Sequence, residues 1–235
     1  ATLPQEIKDR MDLSALPPEY TSAIALTCKN GFIRPDLSAS DFEAYKGLDE
    51  SIHINPMEIS DTEREGLKKL CEVCPQMDIG ISYSTAEEYL HGEAWIDQLI
   101  QSLNPEWSNI EKVAFIDNAI GKQISYSPDF NTEVSDAGVA RALWKIIDSG
   151  YGVCNGIAQV EQYILGRIGV ETQRISGKHH SFLKLINMEF PTQDGGTVTG
   201  NTILDPTWNL AAQRFGGRPN NFCRSYEEIR KHDIK

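Results

Sequence analysis

Three side chains in this sequence have the types and spacing for nucleophilic acyl chemistry: Cys154, His180 and Asp205. A thiol attacks a carbonyl well only as thiolate, and a free cysteine is mostly protonated at neutral pH. A helix N-terminus and a neighbouring imidazole both correct this. Cys154 follows Gly150-Tyr151-Gly152-Val153 and precedes an apolar-periodic run from Ile157 to Leu165, so it stands where a helix begins. Aligned peptide dipoles favour negative sulfur there. Gly152 and Gly156 flank it and leave room for a substrate. His180 opens a strand-like run and Asp205 closes the next one, with the Asp194-Gly195-Gly196 turn between. Folding those strands against each other brings imidazole and carboxylate within hydrogen-bond reach. The carboxylate then fixes the ring tautomer and steadies its charged form.

Each residue has a plainer reading when taken alone. A cysteine at a helix start is usually buried and inert, a histidine is usually a satisfied polar residue, and Asp-Pro is usually a turn. Their joint occurrence in order favours a triad. Asp205 could also cap the Pro206-Thr207-Trp208 turn, and Trp208 reads as a packing anchor beneath the site. His179 reads as a neighbour facing away, because alternate strand residues point to opposite faces. A metal site built from Cys154, His179, His180 and Asp205 is a rival arrangement. Cys71 and Cys74 form a CxxC, but it closes a helical run and has no second ligand pair, so both read as core thiols. Cys28 and Cys223 read as ordinary buried thiols.

The elements that must position these groups divide near residue 105. Residues 1–105 form a mostly helical N-terminal extension or cap. Pro17 and Pro18 break its first stretch, and Asp41 starts a short helix through Tyr45. Ser60 with Glu63, and Ser84 with Glu87, have capping-box spacing. The first opens a helix with a Leu67, Leu70, Cys71 and Cys74 stripe; the second opens one carrying Tyr89, Leu90, Trp95, Leu99 and Ile100. Residues 106–235 begin with a third capping box, Ser108 and Glu111, and a helix whose buried stripe is Val113, Ile116, Ala119 and Ile120. A short extended piece at 124–127, a helix through Val139, Leu143, Ile146 and Ile147, and the Cys154 helix follow. Residues 173–176, 181–188 and 198–204 then read as strands. Helices followed by an antiparallel sheet is an α+β order.

Composition narrows the field. The chain has 235 residues, 40% hydrophobic and 24% charged, which suffices for a buried core. A formal net charge of −12 disfavours nucleic acid, which needs clustered Lys and Arg. No apolar run approaches transmembrane length and no signal-peptide pattern opens the chain, so membrane insertion is not expected. The compartment leans to the cytoplasm, with a secreted form left open. Five cysteines permit a reducing interior without demanding it.

The motifs together resemble a known family. Gly152-Val153-Cys154-Asn155-Gly156-Ile157-Ala158 is similar to the nucleophile motif of transglutaminase-like proteins, His180-Ser181-Phe182 to their histidine motif, and Asp205-Pro206-Thr207-Trp208 to their aspartate motif. The resemblance covers roughly residues 108–210, and Ser225-Tyr226-Glu227-Glu228 resembles a terminal helix. It implies a papain-like core, with a nucleophile helix packed on an antiparallel sheet. It implies Cys154 as nucleophile, His180 as base and then acid, and Asp205 as the orienting carboxylate. It implies a peptide or protein substrate, a thioester intermediate, and no cofactor or metal. The backbone N–H of Cys154 supplies one oxyanion donor, and Tyr126 is the candidate for the second; its other reading is an edge-strand tyrosine. Hydrolysis, as in a cysteine peptidase or amidase, is the leading expectation. Acyl transfer to an amine uses the same three residues. A catalytically silent binding domain on the same fold is the third reading.

Overall fold

A computed structural model of the chain describes residues 57, 59–73, 84–127, 142–177, 180–214 and 222–224. The expected features at Pro17-Pro18, Asp41–Tyr45, Cys28, Cys74, Val139, Lys178, His179 and Ser225–Glu228 lie outside these residues. The chain divides into two compact units, Ala1–Glu93 and Ala94–Lys235. The division falls inside a helix, upstream of the position 105 suggested by the sequence.

In the first unit, helix α1 (Asp61–Val73) begins at the expected capping box. The Glu63 carboxylate accepts from the Ser60 N–H at 3.0 Å, and the Ser60 hydroxyl accepts from the Glu63 N–H at 3.3 Å. Leu67 and Cys71 are buried on its inner face. Arg64 is buried too, with its Nε 3.8 Å from a carboxylate oxygen of fully buried Glu93. It also holds Asp61 and the Ile59 carbonyl. The Tyr89 hydroxyl donates to the Arg64 carbonyl at 3.3 Å.

Helix α2 (Ala86–Gln101) starts one residue later than its expected cap requires. Thr85, not Ser84, exchanges bonds with an acid three residues on: the Thr85 N–H donates to Glu88 at 2.8 Å, and the Glu88 N–H donates to the Thr85 hydroxyl at 3.2 Å. Ser84 is buried instead. The run Ser-Thr-Ala-Glu-Glu offers the same spacing in two frames, and burial decides between them.

The second unit is α+β. Helix α3 (Asn109–Gln123) starts at Ser108 and Glu111 with a full reciprocal capping box. Strand β1 (Ser125–Tyr126), helix α4 (Leu143–Ser149), strand β2 (Tyr151–Gly152) and helix α5 (Cys154–Arg167) follow. Strands β3 (Thr172–Ser176), β4 (Ser181–Pro191), β5 (Thr197–Leu204) and β6 (Phe222–Arg224) form one antiparallel sheet in that order, and helix α6 (Pro206–Arg214) lies between β5 and β6 in the chain. Helix α5 packs against α3, α4, α6 and the sheet strands β3 and β4. It is buried along most of its length through Ile157, Ala158, Val160, Tyr163, Ile164 and Leu165. Trp144 of α4 meets Tyr163 edge-on at 5.9 Å. Leu183 and Leu185 of β4 are fully buried, while Lys184 belongs to the alternate face. That face carries a small cluster of Ile175, Phe182 and Ile203, and a hollow of about 350 Å³ that Lys184 helps line. Among the described residues, no helix is long and apolar enough to cross a membrane.

Candidate active site

The approach to Cys154 is pinned by a two-stranded parallel ladder rather than left as a flexible glycine run. Ser125 pairs with Tyr151, and Tyr126 with Gly152. The Ser125 N–H donates to the Gly150 carbonyl at 2.8 Å, and the Ser127 N–H to the Gly152 carbonyl at 3.1 Å. Gly150 ends α4 at φ 73°, a conformation that favours glycine. At Gly152 a Cβ would meet Ile146 at 3.0 Å and Ile157 at 3.2 Å, so any larger residue makes those two side chains give way for β2 to lie this close to the helices.

Cys154 is the first residue of α5. Its N-cap, Val153, is extended and offers no side-chain cap. The first N–H groups of a helix lack intrahelical partners. Here the Asn155 N–H donates to the sulfur, as do the Ser181 N–H and the His180 imidazole. Burial pushes the thiol upward, but the His180 bond, the Ser181 bond, the imidazolium charge and the Asn155 bond outweigh it and hold Cys154 below the ordinary thiol range.

His180 stands just before β4, and Asp205 just after β5. The pairing of Leu183 with Leu204 sets these two ends side by side. His180 Nε2 lies 2.6 Å from Asp205 Oδ2, which leaves Nδ1 for the sulfur. Burial acts to lower the proton affinity of His180, but the bond to Asp205, the bond to Cys154 and both negative charges raise it to about 10. A lowered thiol beside a raised imidazole describes a thiolate–imidazolium pair. Asp205 is 1% exposed. Its Oδ1 accepts the Trp208 N–H at 3.2 Å, and its carbonyl accepts the Asn209 N–H at 3.1 Å. It therefore caps α6 while holding the histidine. Pro206 begins that helix, a position where its missing N–H costs nothing.

Tyr126 is half-buried beside this pair. Burial first, then the negative charge of Cys154, raises its phenol above the usual value and keeps the O–H as a donor. Trp208 differs from the sequence expectation. It is 50% exposed and its ring stands T-shaped to that of His180, with centroids 6.4 Å apart, rather than lying beneath the site. The α6 periodicity turns Asn209 and Leu210 inward and Trp208 outward. Cys223 is half-buried in β6; burial and the Asp117 charge push its thiol to about 12.

Two acids behind the triad escaped the sequence reading. Asp117 of α3 is 4% exposed and accepts a bond from Asn209 Nδ2 at 3.0 Å. Glu161 of α5 is fully buried, and neither carboxyl oxygen has a hydrogen-bond partner. Both sit on apolar stripes at helical spacing: Asp117 with Val113, Ile116 and Ile120, and Glu161 with Ile157, Val160 and Ile164. That register is the signal that places an acid inside. Compared with known proteins, the chain matches no family model and no curated sequence.

Proposed function

We propose that this chain is a cysteine-nucleophile enzyme of the transglutaminase-like kind, with a papain-like core, that cleaves an amide bond through a thioester. The observation that carries the reading is one imidazole held between a buried carboxylate at 2.6 Å and the sulfur of a cysteine that opens a helix.

The thiolate of Cys154 attacks the amide carbon, and the carbonyl electrons move to oxygen. The Cys154 N–H and the Tyr126 hydroxyl are the donors suited to that oxyanion. The imidazolium of His180 passes its proton to the departing nitrogen, the C–N bond breaks, and an amine and a thioester result. His180, now neutral, takes a proton from water as the oxygen attacks the thioester. Collapse releases a carboxylic acid and restores the thiolate–imidazolium pair. Asp205 holds the ring tautomer throughout.

A peptide library incubated with and without an added amine tests this reading. A thioester adduct on Cys154, with carboxylic acid as the product in both arms, is the expected result. Amine incorporated in place of water assigns acyl transfer. No adduct on Cys154 with any peptide removes the enzyme reading and leaves the silent binding domain.

A further inference from the structure

Behind the triad lies a second polar layer for which amide cleavage, as proposed above, has no role. Asp117, Glu161 and Asp205 come from three elements that pack on one another, α3, α5 and the start of α6. The charges act in sequence: Asp205 raises the proton affinity of Asp117, and both raise that of Glu161. The Asn209 side chain bonds Asp117, and its N–H bonds the Asp205 carbonyl, which ties the second layer to the first.

Three carboxylates buried together need three positive charges or fewer negative ones. Among the described residues, no lysine or arginine pairs with any of them, and His180 is the only cation against Asp205. Nor does any group of three His, Cys, Asp or Glu side chains there have the arrangement to hold a metal ion. The groups facing Asp117 are Asn209 and Asp205, Glu161 from α5, and Cys223 from β6. Strand β4 turns Leu183 and Leu185 to the buried side and Lys184 to the other. Glu161, with both oxygens bare and no counter-charge, is placed as a neutral acid.

We propose that Asp117 and Glu161 are positioning residues for the triad: Glu161 is a buried acid that stays uncharged, and Asp117 is a buried acid that retunes His180 when it loses its proton. The inference rests on the proposed triad. A charge on Asp117 adds to the pull of Asp205 on the imidazolium. His180 then holds its proton more tightly and delivers it more slowly to the leaving nitrogen. Burial, opposed by the Asn209 bond and reinforced by Asp205, puts the Asp117 transition at about 7, within reach of ordinary pH changes.

The test follows the ring-nitrogen NMR signals of His180 against pH in protein labelled with ¹⁵N-histidine, in the unchanged chain and in Asp117→Asn. The signals of the unchanged chain are expected to shift with an inflection near pH 7 while the ring stays protonated. Asp117→Asn should lose that inflection. Identical profiles overturn the proposal. The readout needs no substrate, so it stands apart from whether any amide is cleaved. Should Asp117→Asn fail to fold, the infrared carboxyl-stretch region of the unchanged chain decides. Protonated-carboxyl bands at pH 6, one fading through about 7 and one absent from Glu161→Gln, support the proposal. No protonated-carboxyl band at pH 6 overturns it.

Discussion

Among the described residues, each compact unit buries one glutamate completely, and the two are treated in opposite ways. Glu93 in the first unit lies 3.8 Å from the guanidinium of buried Arg64, which is further tied to Asp61 and the Ile59 carbonyl. Glu161 in the second unit has bare oxygens and two other acids as electrostatic neighbours. The first arrangement neutralises charge with charge and serves the fold. The second neutralises charge with a proton, which burial and the neighbouring acids hold in place. A buried acid with a cation is a structural device; a buried acid among acids holds a proton instead.

The largest effect belongs to the triad beside the second arrangement. Cys154→Ala should abolish turnover, and Asp205→Asn should lower kcat by roughly 10⁴-fold, because the ring loses its tautomer and its charge partner. Steady-state kinetics on the substrate that traps a thioester would show both. A kcat within a few-fold of the unchanged chain in Asp205→Asn would falsify the assigned role of that carboxylate.

The two glutamates themselves should respond with opposite signs. Arg64→Met removes the guanidinium 3.8 Å from buried Glu93 and should lower stability by about 3 kcal/mol. Glu161→Met removes an unpartnered acid from an apolar stripe and should raise stability by about 1–3 kcal/mol. Denaturant unfolding of each variant measures both. The contrast between the units fails if both substitutions destabilise alike.

A smaller effect concerns pH. Asp117 holds its proton up to about 7 in the folded chain, against an ordinary carboxyl value of 3.8. Below the ordinary value both states are protonated and the group is neutral in the balance. As pH rises from there towards 7, the unfolded chain releases the proton and the folded chain keeps it, so stability falls; above 7 the loss is complete. Asp117→Asn should remove this slope from a plot of unfolding free energy against pH. An unchanged slope would reassign it to other groups.

The second unit also shows what a single sequence reveals. The Ser60 and Ser108 caps were legible because a hydroxyl and an acid three apart satisfy two helix-end donors whatever surrounds them. The cap at Thr85 was not, because Ser84 and Thr85 are each followed by a glutamate at the right spacing. Cys154, His180 and Asp205 were legible as a set through their order and local motifs, and the sheet register brings His180 and Asp205 together. The Ser181 N–H on the sulfur was hidden, since any residue type supplies a backbone donor. Asp117 and Glu161 were hidden for a different reason: acids on helices are usually solvated, and only their place on an apolar stripe says otherwise.

The most direct measurement is the rate at which iodoacetamide alkylates each cysteine of the unchanged chain across pH, read by peptide mass. Cys154 should react fastest at neutral pH, keep reacting below the ordinary thiol range, and lose that advantage in His180→Ala. Slow, uniform labelling of all five cysteines, or a Cys154 rate indifferent to His180→Ala, would contradict an activated thiolate at the centre of this site.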